Sequence, residues 1–203
     1  MRNRSSLLTL SAMTLLAAMP ATLAAQTPSA AQAPAGAQVY QIDAVHSNVE
    51  FKVRHLMSKV TGRFGKVDGT VTLNSQDIAK SSVNVTIAVN SISTNDAKRD
   101  GHLMSPDFFD AAKFPTITFK STSVKEVAKD KLEVTGTFTM RGVSKTLVLP
   151  ITSLGTAADP WKNVVAGFEG AIKLNRQDYG VSYGPGLVGD EVDIDLNVEA
   201  KKI

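Results

Sequence analysis

Apolar and polar residues alternate along nearly all of this chain from residue 38 onwards, and no other feature constrains the fold as strongly. In 192–200, Val192, Ile194, Leu196 and Val198 alternate with acidic and amide residues. Successive side chains of a β-strand point to opposite faces, so this spacing predicts strands with one buried face. The pattern recurs in about eight or nine segments joined mostly by short turns. It predicts an all-β fold, either an antiparallel barrel or a sandwich.

Two features favour the barrel. Glycines recur within the strand segments, at Gly69, Gly136 and Gly170, as they do where a sheet coils sharply. The segments are also long, about 9–12 residues, which suits the tilted strands of a barrel. An eight-stranded barrel can hold one ligand when small residues line part of its interior. We expect Gly136, Ala166 and Gly170 to leave that room.

Residues 94–119 interrupt the strand pattern with helical spacing. Thr94-Asn95-Asp96 offers side-chain oxygens to the free N–H groups of a helix start. Ser105-Pro106 ends the helix, because a residue before proline avoids the α region. The segment that follows carries three aromatic residues, Phe108, Phe109 and Phe114. We therefore expect a short helical cap whose apolar underside covers a cavity; the alternative is a crossover loop that plugs a sandwich core.

The first part of the chain is expected to lie outside the folded domain. Arg2 and Arg4 precede an apolar run that ends in small residues, which predicts a cleaved signal peptide over 1–25. Residues 26–37 are rich in Pro, Ala and Gln and predict a disordered linker. The β-barrel domain then covers 38–203. Its expected location is periplasmic or secreted.

Composition restricts the partners. The formal net charge is +3, and the basic residues are dispersed among acidic ones, so we expect no nucleic-acid partner. After the leader, no run approaches the roughly 20 apolar residues of a membrane helix, so we expect no stable membrane insertion. The sequence contains no cysteine. Stability must therefore come from an ordinary apolar core and not from disulfides.

The three histidines are the candidates for catalysis. His46 lies in a turn beside Ser47 and near Asp43, but no glycine-flanked nucleophile motif surrounds that serine. His55 ends the apolar face of a strand, and His102 lies on the cap. Their separations match no metal-ligand pattern. We expect no catalytic residue, no metal site and no resident cofactor other than a bound lipid.

The apolar residues on the inward strand faces form the candidate ligand wall. In a filled barrel they would be ordinary core, whereas in a wider barrel they would contact a ligand. The predicted ligand-binding residues are Phe51, Val53, His55, His102, Phe119, Phe138, Met140, Phe168 and Ile172.

A series of runs, in order along the chain, resembles the YceI family of secreted, lipocalin-like bacterial proteins. They include YQIDAVHSNVEFKVR at 40–54, RDGHL at 99–103, FPTITF at 114–119 and VGDEV at 188–192. The resemblance implies an eight-stranded antiparallel lipocalin-like barrel. It implies an interior that binds a long isoprenoid, quinone-like or other amphiphilic lipid. It also implies a periplasmic or secreted setting and often a homodimer.

Together these observations predict a non-enzymatic protein that transports, stores or sequesters a hydrophobic or amphiphilic small molecule. The head group of the ligand is expected at the barrel mouth, near His55, Arg99, Asp100, His102 and Trp161. Two alternatives stay open. One is a lipid-directed hydrolase or isomerase that uses His46 or His102. The other is a structural adaptor for a membrane respiratory partner.

Overall fold

The computed structural model describes residues 36–203. The predicted signal peptide, 1–25, and residues 26–35 of the predicted linker lie outside this range. The first strand begins at Ala37. In the described part of the chain, no helix has the length and apolar character needed to span a membrane.

Eleven strands and one α-helix are present in residues 36–203. The first six strands are short: β1 (Ala37–Ile42), β2 (Asn48–His55), β3 (Ser58–Phe64), β4 (Val67–Asn74), β5 (Ser82–Ala88) and β6 (Ile92–Ser93). Helix α1 spans Ala97–Met104. The last five strands are longer: β7 (Thr116–Ala128), β8 (Lys131–Met140), β9 (Val143–Ala158), β10 (Val164–Asn175) and β11 (Val188–Lys202).

The six short strands join end to end in three pairs, β1–β2, β3–β4 and β5–β6, each of which forms one stave of a barrel. Strand β11 shows this arrangement, since its Ala200–Lys202 part pairs with β1 and its Val188–Asn197 part pairs with β2. With β7 to β11, the three composite staves make eight. Every neighbouring pair is antiparallel, and β11 closes the ring against β1 and β2. The predicted eight-stranded antiparallel barrel is confirmed.

The alternation seen in the sequence corresponds to the inner and outer faces of the barrel. In β8, Leu132, Val134 and Met140 are buried, whereas Glu133 and Thr137 are exposed. The inner faces of the other strands repeat this arrangement and form the core. Burial of these apolar faces is the main favourable contribution to the stability of the fold.

Helix α1 begins and ends where its flanking residues predict. Asp96 precedes the helix with an extended backbone, and its Oδ1 accepts a hydrogen bond from Arg99 N at 3.0 Å. This bond satisfies one of the free N–H groups of the first turn. Ser105, the residue before Pro106, returns to an extended conformation and ends the helix. Phe108 then turns inwards and is 8% exposed, as a cap over the barrel requires.

Candidate ligand-binding cavity

A cavity of about 250 Å³ occupies the interior of the barrel. It extends from Ile78 and Ser81, at one end of the barrel, to Leu103 and Phe108 beneath the cap. Aromatic side chains account for much of its wall, namely Phe51, Phe64, Phe108, Phe109, Phe119, Phe138 and Phe168. An apolar cavity of roughly 150 Å³ stays dry and takes up benzene, so this larger one has room for an apolar ligand.

Seven of the nine predicted ligand-binding residues line this cavity. They are Phe51, Val53, Phe119, Phe138, Met140, Phe168 and Ile172. The alternation identified them because inward-facing positions recur at every second residue. His55 and His102 are not part of the lining. Contact of any of these side chains with a ligand stays a prediction.

His102 belongs to an aromatic cluster that fastens the cap. Its ring centroid lies 5.1 Å from that of Phe108 and 5.0 Å from that of Tyr183, which lies in the β10–β11 loop. The rings of Phe108 and Tyr183 are 5.2 Å apart. His102 Nε2 also lies 2.8 Å from Asp107 Oδ2. These contacts hold Phe108 over the end of the cavity and give His102 a packing role.

Arg141 links the same elements through hydrogen bonds. It lies in the turn between β8 and β9 with φ of 50°. Its guanidinium donates to the carbonyl oxygen of Pro106 at 2.7 Å and to that of Gly180. The cap and the β10–β11 loop are therefore joined by a cation as well as by aromatic packing.

Arg176 is a buried residue of the cavity wall that sequence reasoning missed. It follows β10, it is 4% exposed, and all five of its N–H groups have acceptors. These are the carbonyl oxygens of Val181, Tyr183, Val188 and Gly189 at 2.7–3.1 Å and Asp190 Oδ1 at 3.3 Å. The residue thus fixes the path of the β10–β11 loop and offers no free donor to a ligand.

The residues expected around a head group do not converge. Arg99 Nε donates to Thr94 Oγ1 at 2.7 Å, and Asp100 Oδ1 accepts from Thr94 N at 2.8 Å, so both charges hold the start of α1. Trp161 is 78% exposed in the turn between β9 and β10. The antiparallel course of the strands places this turn at the end of the barrel opposite α1. The residues that were expected near a lipid head group therefore do not meet at one end of the barrel.

His46 lies outside the cavity lining, in the loop between β1 and β2. Its Nδ1 is 3.0 Å from Asp43 Oδ2 and 3.8 Å from Glu199 Oε1. Hydrogen bonding to the Asp43 carboxylate raises the pKa of His46, and the same bond lowers the pKa of Asp43. Ser47 Oγ donates to the Glu199 carbonyl oxygen at 3.0 Å. This is a hydrogen-bonded turn and not a nucleophile with its base.

The prediction that small residues leave room inside the barrel is wrong. A Cβ on Gly136 would lie 2.5 Å from Phe119 Cζ, and one on Gly170 would lie 2.7 Å from Ile151 Cδ1. Ala166 is 1% exposed, and none of the three positions lines the cavity. At the two glycines, close approach of neighbouring atoms occupies the space that a side chain would need.

Comparison with known proteins agrees with this architecture. The family model for the YceI-like domain matches residues 40–200. A UPF0312 protein of Pseudomonas paraeruginosa is 40% identical over 163 residues, which cover 79% of this chain and 85% of that protein. The crystal structure of BcnA from Burkholderia cenocepacia has a TM-score of 0.72 and 26% identity, over 78% of this chain and 99% of that chain.

A more distant solved structure has the same fold. It is a polyisoprenoid binding domain from Saccharophagus degradans, implicated in plant cell wall breakdown. The TM-score is 0.63 at 16% identity, over 82% of this chain and 99% of that chain. The family model alone spans most of the described residues, and the curated relative matches over a similar length. The chain therefore belongs to the YceI family.

Proposed function

We propose that this protein binds one long isoprenoid, quinone-like or other amphiphilic lipid inside its barrel and catalyses no reaction on it. The cavity of about 250 Å³, with aliphatic and aromatic side chains from one end to the other, is the observation that carries the proposal. The polyisoprenoid binding domain of the same fold supports it. Neither histidine of the catalytic alternative lines the cavity.

The chemistry of the wall determines the class of ligand. Burial of one CH₂ group contributes ~0.8 kcal/mol, so each five-carbon isoprene unit adds roughly 3–4 kcal/mol before the cost of ordering the chain. A few units then suffice for micromolar binding with little polar recognition. A wall of this kind accepts chain-like lipids in general and does not select one structure.

The expected signal peptide supports a location in the periplasm or outside the cell. A carrier there would keep an apolar chain away from water during transport or storage. Such a protein works as a monomer or as the homodimer that the family resemblance implies. Its partner is the lipid itself.

The proposal is tested by looking for lipid that the protein binds during expression and keeps through purification. We expect native mass spectrometry of gently purified protein, followed by lipid extraction, to detect a co-purifying lipid. Phe138→Asp places a carboxylate in the cavity wall, where burial of charge is unfavourable, and should abolish the bound mass. Thr137→Asp is the matched control, because Thr137 is the exposed neighbour on the same strand.

Circular dichroism should show that both variants keep the β-barrel spectrum. Repeated recovery of empty wild-type protein would count against lipid binding. Equal lipid content in wild type and Phe138→Asp would place the ligand outside this cavity. Turnover of a lipid substrate that is lost in His102→Ala and kept in Phe138→Ala would favour the catalytic alternative.

A further inference from the structure

The wall of the barrel is interrupted between β9 and β10. Their pairing extends from the turn that joins them as far as Gly170 and Ile151. Beyond these residues, within the described range, β9 pairs with β8 alone and β10 pairs with β11 alone. Residues 143–150 and 171–175 therefore face each other without a hydrogen-bonded ladder. We name this region the β9–β10 slot.

Pro150 gives the physical reason for the interruption. It directly precedes Ile151, the last paired residue of β9, and it has no backbone N–H. Its carbonyl oxygen would lie 2.7 Å from a Cβ on Gly170, so the polar edge of Pro150 faces β10. Proline in a sheet is confined to edges and strand ends for this reason. The ladder lacks a donor at this point, and the two strands end their pairing.

Apolar residues that belong to the cavity border the slot. Leu147 and Leu149 from β9, and Ile172 and Leu174 from β10, all line the cavity and are only partly buried. Inward side chains in the rest of the barrel range from fully buried, such as Val134 at 3% exposed, to partly buried, such as Val85 and Ile194. What distinguishes the slot is that its half-buried lining side chains lie beside two strand edges that no hydrogen-bonded ladder joins.

Hydrogen bonds of buried side chains brace the loops at the two ends of the barrel. At the cap end, the five bonds of Arg176 hold the loop beside Phe108. At the other end, Asn74 is 1% exposed and its Oδ1 accepts from Gln76 N and Asp77 N at 3.0 Å. Moving either loop would break these bonds and leave buried side-chain groups without partners, which is costly.

The slot is closed by much weaker contacts. Lys145 Nζ and Asp178 Oδ1 form an ion pair of 3.2 Å near its cap end, and their side chains are 42% and 54% exposed. An exposed pair of this kind contributes little to stability. At the same end, Lys145 Nζ lies 5.7 Å from the centre of the Tyr179 ring, and Arg141 donates to the Gly180 carbonyl oxygen. Along the rest of the slot the bordering side chains are apolar, and these change rotamer far faster than a hydrogen-bonded loop unfolds.

We propose that the β9–β10 slot is the entrance of the cavity, and that a single-chain amphiphile enters and leaves sideways between the two strands. The inference rests on the proposed function, since it assigns the route of the same ligand. Leu147, Leu149, Ile172 and Leu174 move aside during passage, and the cap stays in place.

Cross-linking the slot tests the route. If the register of Gly170 and Ile151 continued for three more residues, Val148 would lie opposite Lys173, and both are exposed outer-face positions. The native chain has no cysteine, so Val148→Cys with Lys173→Cys gives one reactive pair. A short bismaleimide joins the two thiols, and mass spectrometry confirms the link. Stopped-flow fluorescence then follows the uptake of dansyl-farnesol.

We expect the linked protein to take up dansyl-farnesol at least ten times more slowly than the same variant before linking. The matched control is Ala157→Cys with Val165→Cys, a registered pair in the intact part of the same two strands. Linking this control pair should leave the uptake rate unchanged. Leu174→Arg, which places a long charged chain in the slot, should also slow uptake without any cross-link.

The outcomes separate the two proposals. Wild-type protein that does not bind dansyl-farnesol would contradict the proposed function itself. Wild-type protein that binds it, with unchanged uptake in both the linked pair and Leu174→Arg, would overturn the slot as entrance and assign entry to one of the two barrel ends.

Discussion

Arg176→Ala should be the most destabilising substitution of a charged residue in the barrel. The side chain is 4% exposed and donates to four carbonyl oxygens and one carboxylate. Removal leaves these acceptors in place without their donor. A buried acceptor that loses its partner costs more than the net value of the hydrogen bond, because its desolvation is no longer compensated.

The magnitude follows from which acceptors water can reach. Tyr183 and Asp190 are exposed, so water replaces the guanidinium there, whereas Val181 and Gly189 are buried. Two buried orphan carbonyls at about 1–3 kcal/mol each, together with partial loss at Val188, give about 3–5 kcal/mol. For a domain of this size, each kcal/mol of lost stability lowers Tm by roughly 2–4 °C, so we expect a fall in Tm of about 6–20 °C.

Urea denaturation followed by circular dichroism measures this loss. Lys173→Ala is the control, because Lys173 forms ion pairs with Glu191 and Asp193 but is 63% exposed; its urea midpoint should stay close to that of wild type. Arg176→Lys should recover only part of the stability, since an ammonium has three donors and no planar fork. An Arg176→Ala protein within about 1 kcal/mol of wild type would refute the reasoning.

Two further predictions concern the loop between β1 and β2 and the packing inside β8. Because the pKa of His46 is raised, protonated His46 stabilises the fold below about pH 6.5, and this stabilisation is lost as pH rises through the folded pKa. Because the pKa of Asp43 is lowered, ionised Asp43 stabilises the fold above about pH 3.8, and this stabilisation is lost as pH falls through the folded pKa. Urea denaturation of wild type and His46→Gln should therefore differ most between about pH 4 and 6.5, and a difference that does not change up to pH 8 would contradict this pairing. Gly136→Ala should lower stability by about 1–3 kcal/mol because its Cβ meets the Phe119 ring and the Lys120 carbonyl oxygen; a thermal melt equal to wild type would show that Phe119 moves freely.

The pattern of the sequence predicts the faces of the strands well, because burial of alternate side chains is a local property. The apolar lining from Phe51 on β2 to Ile172 on β10 follows from period two alone. The limits of α1 follow from Asp96 and Pro106, which act within one helical turn. These features need no knowledge of which strand lies beside which.

The features that the sequence did not predict depend on neighbours that are distant in the chain. In the sequence, Arg176 belongs to a glycine-rich loop, where an exposed cation is the usual expectation. Only the folded loop, which wraps around the guanidinium, buries it. Pro150 is visible in the sequence, but its effect depends on facing Gly170. The tight space at Gly136 has the same basis, since only the fold brings Phe119 against it.

Closure of the ring by β11 against β1 and β2 has a consequence for folding. The first and last strands are neighbours, so the barrel cannot close until the end of the domain is available. Until then β1–β2 and β10 would present open backbone edges, which are sites for pairing with other chains. A nascent chain without β11 would therefore need protection from aggregation, and completion of the final strand would end that exposure in one step.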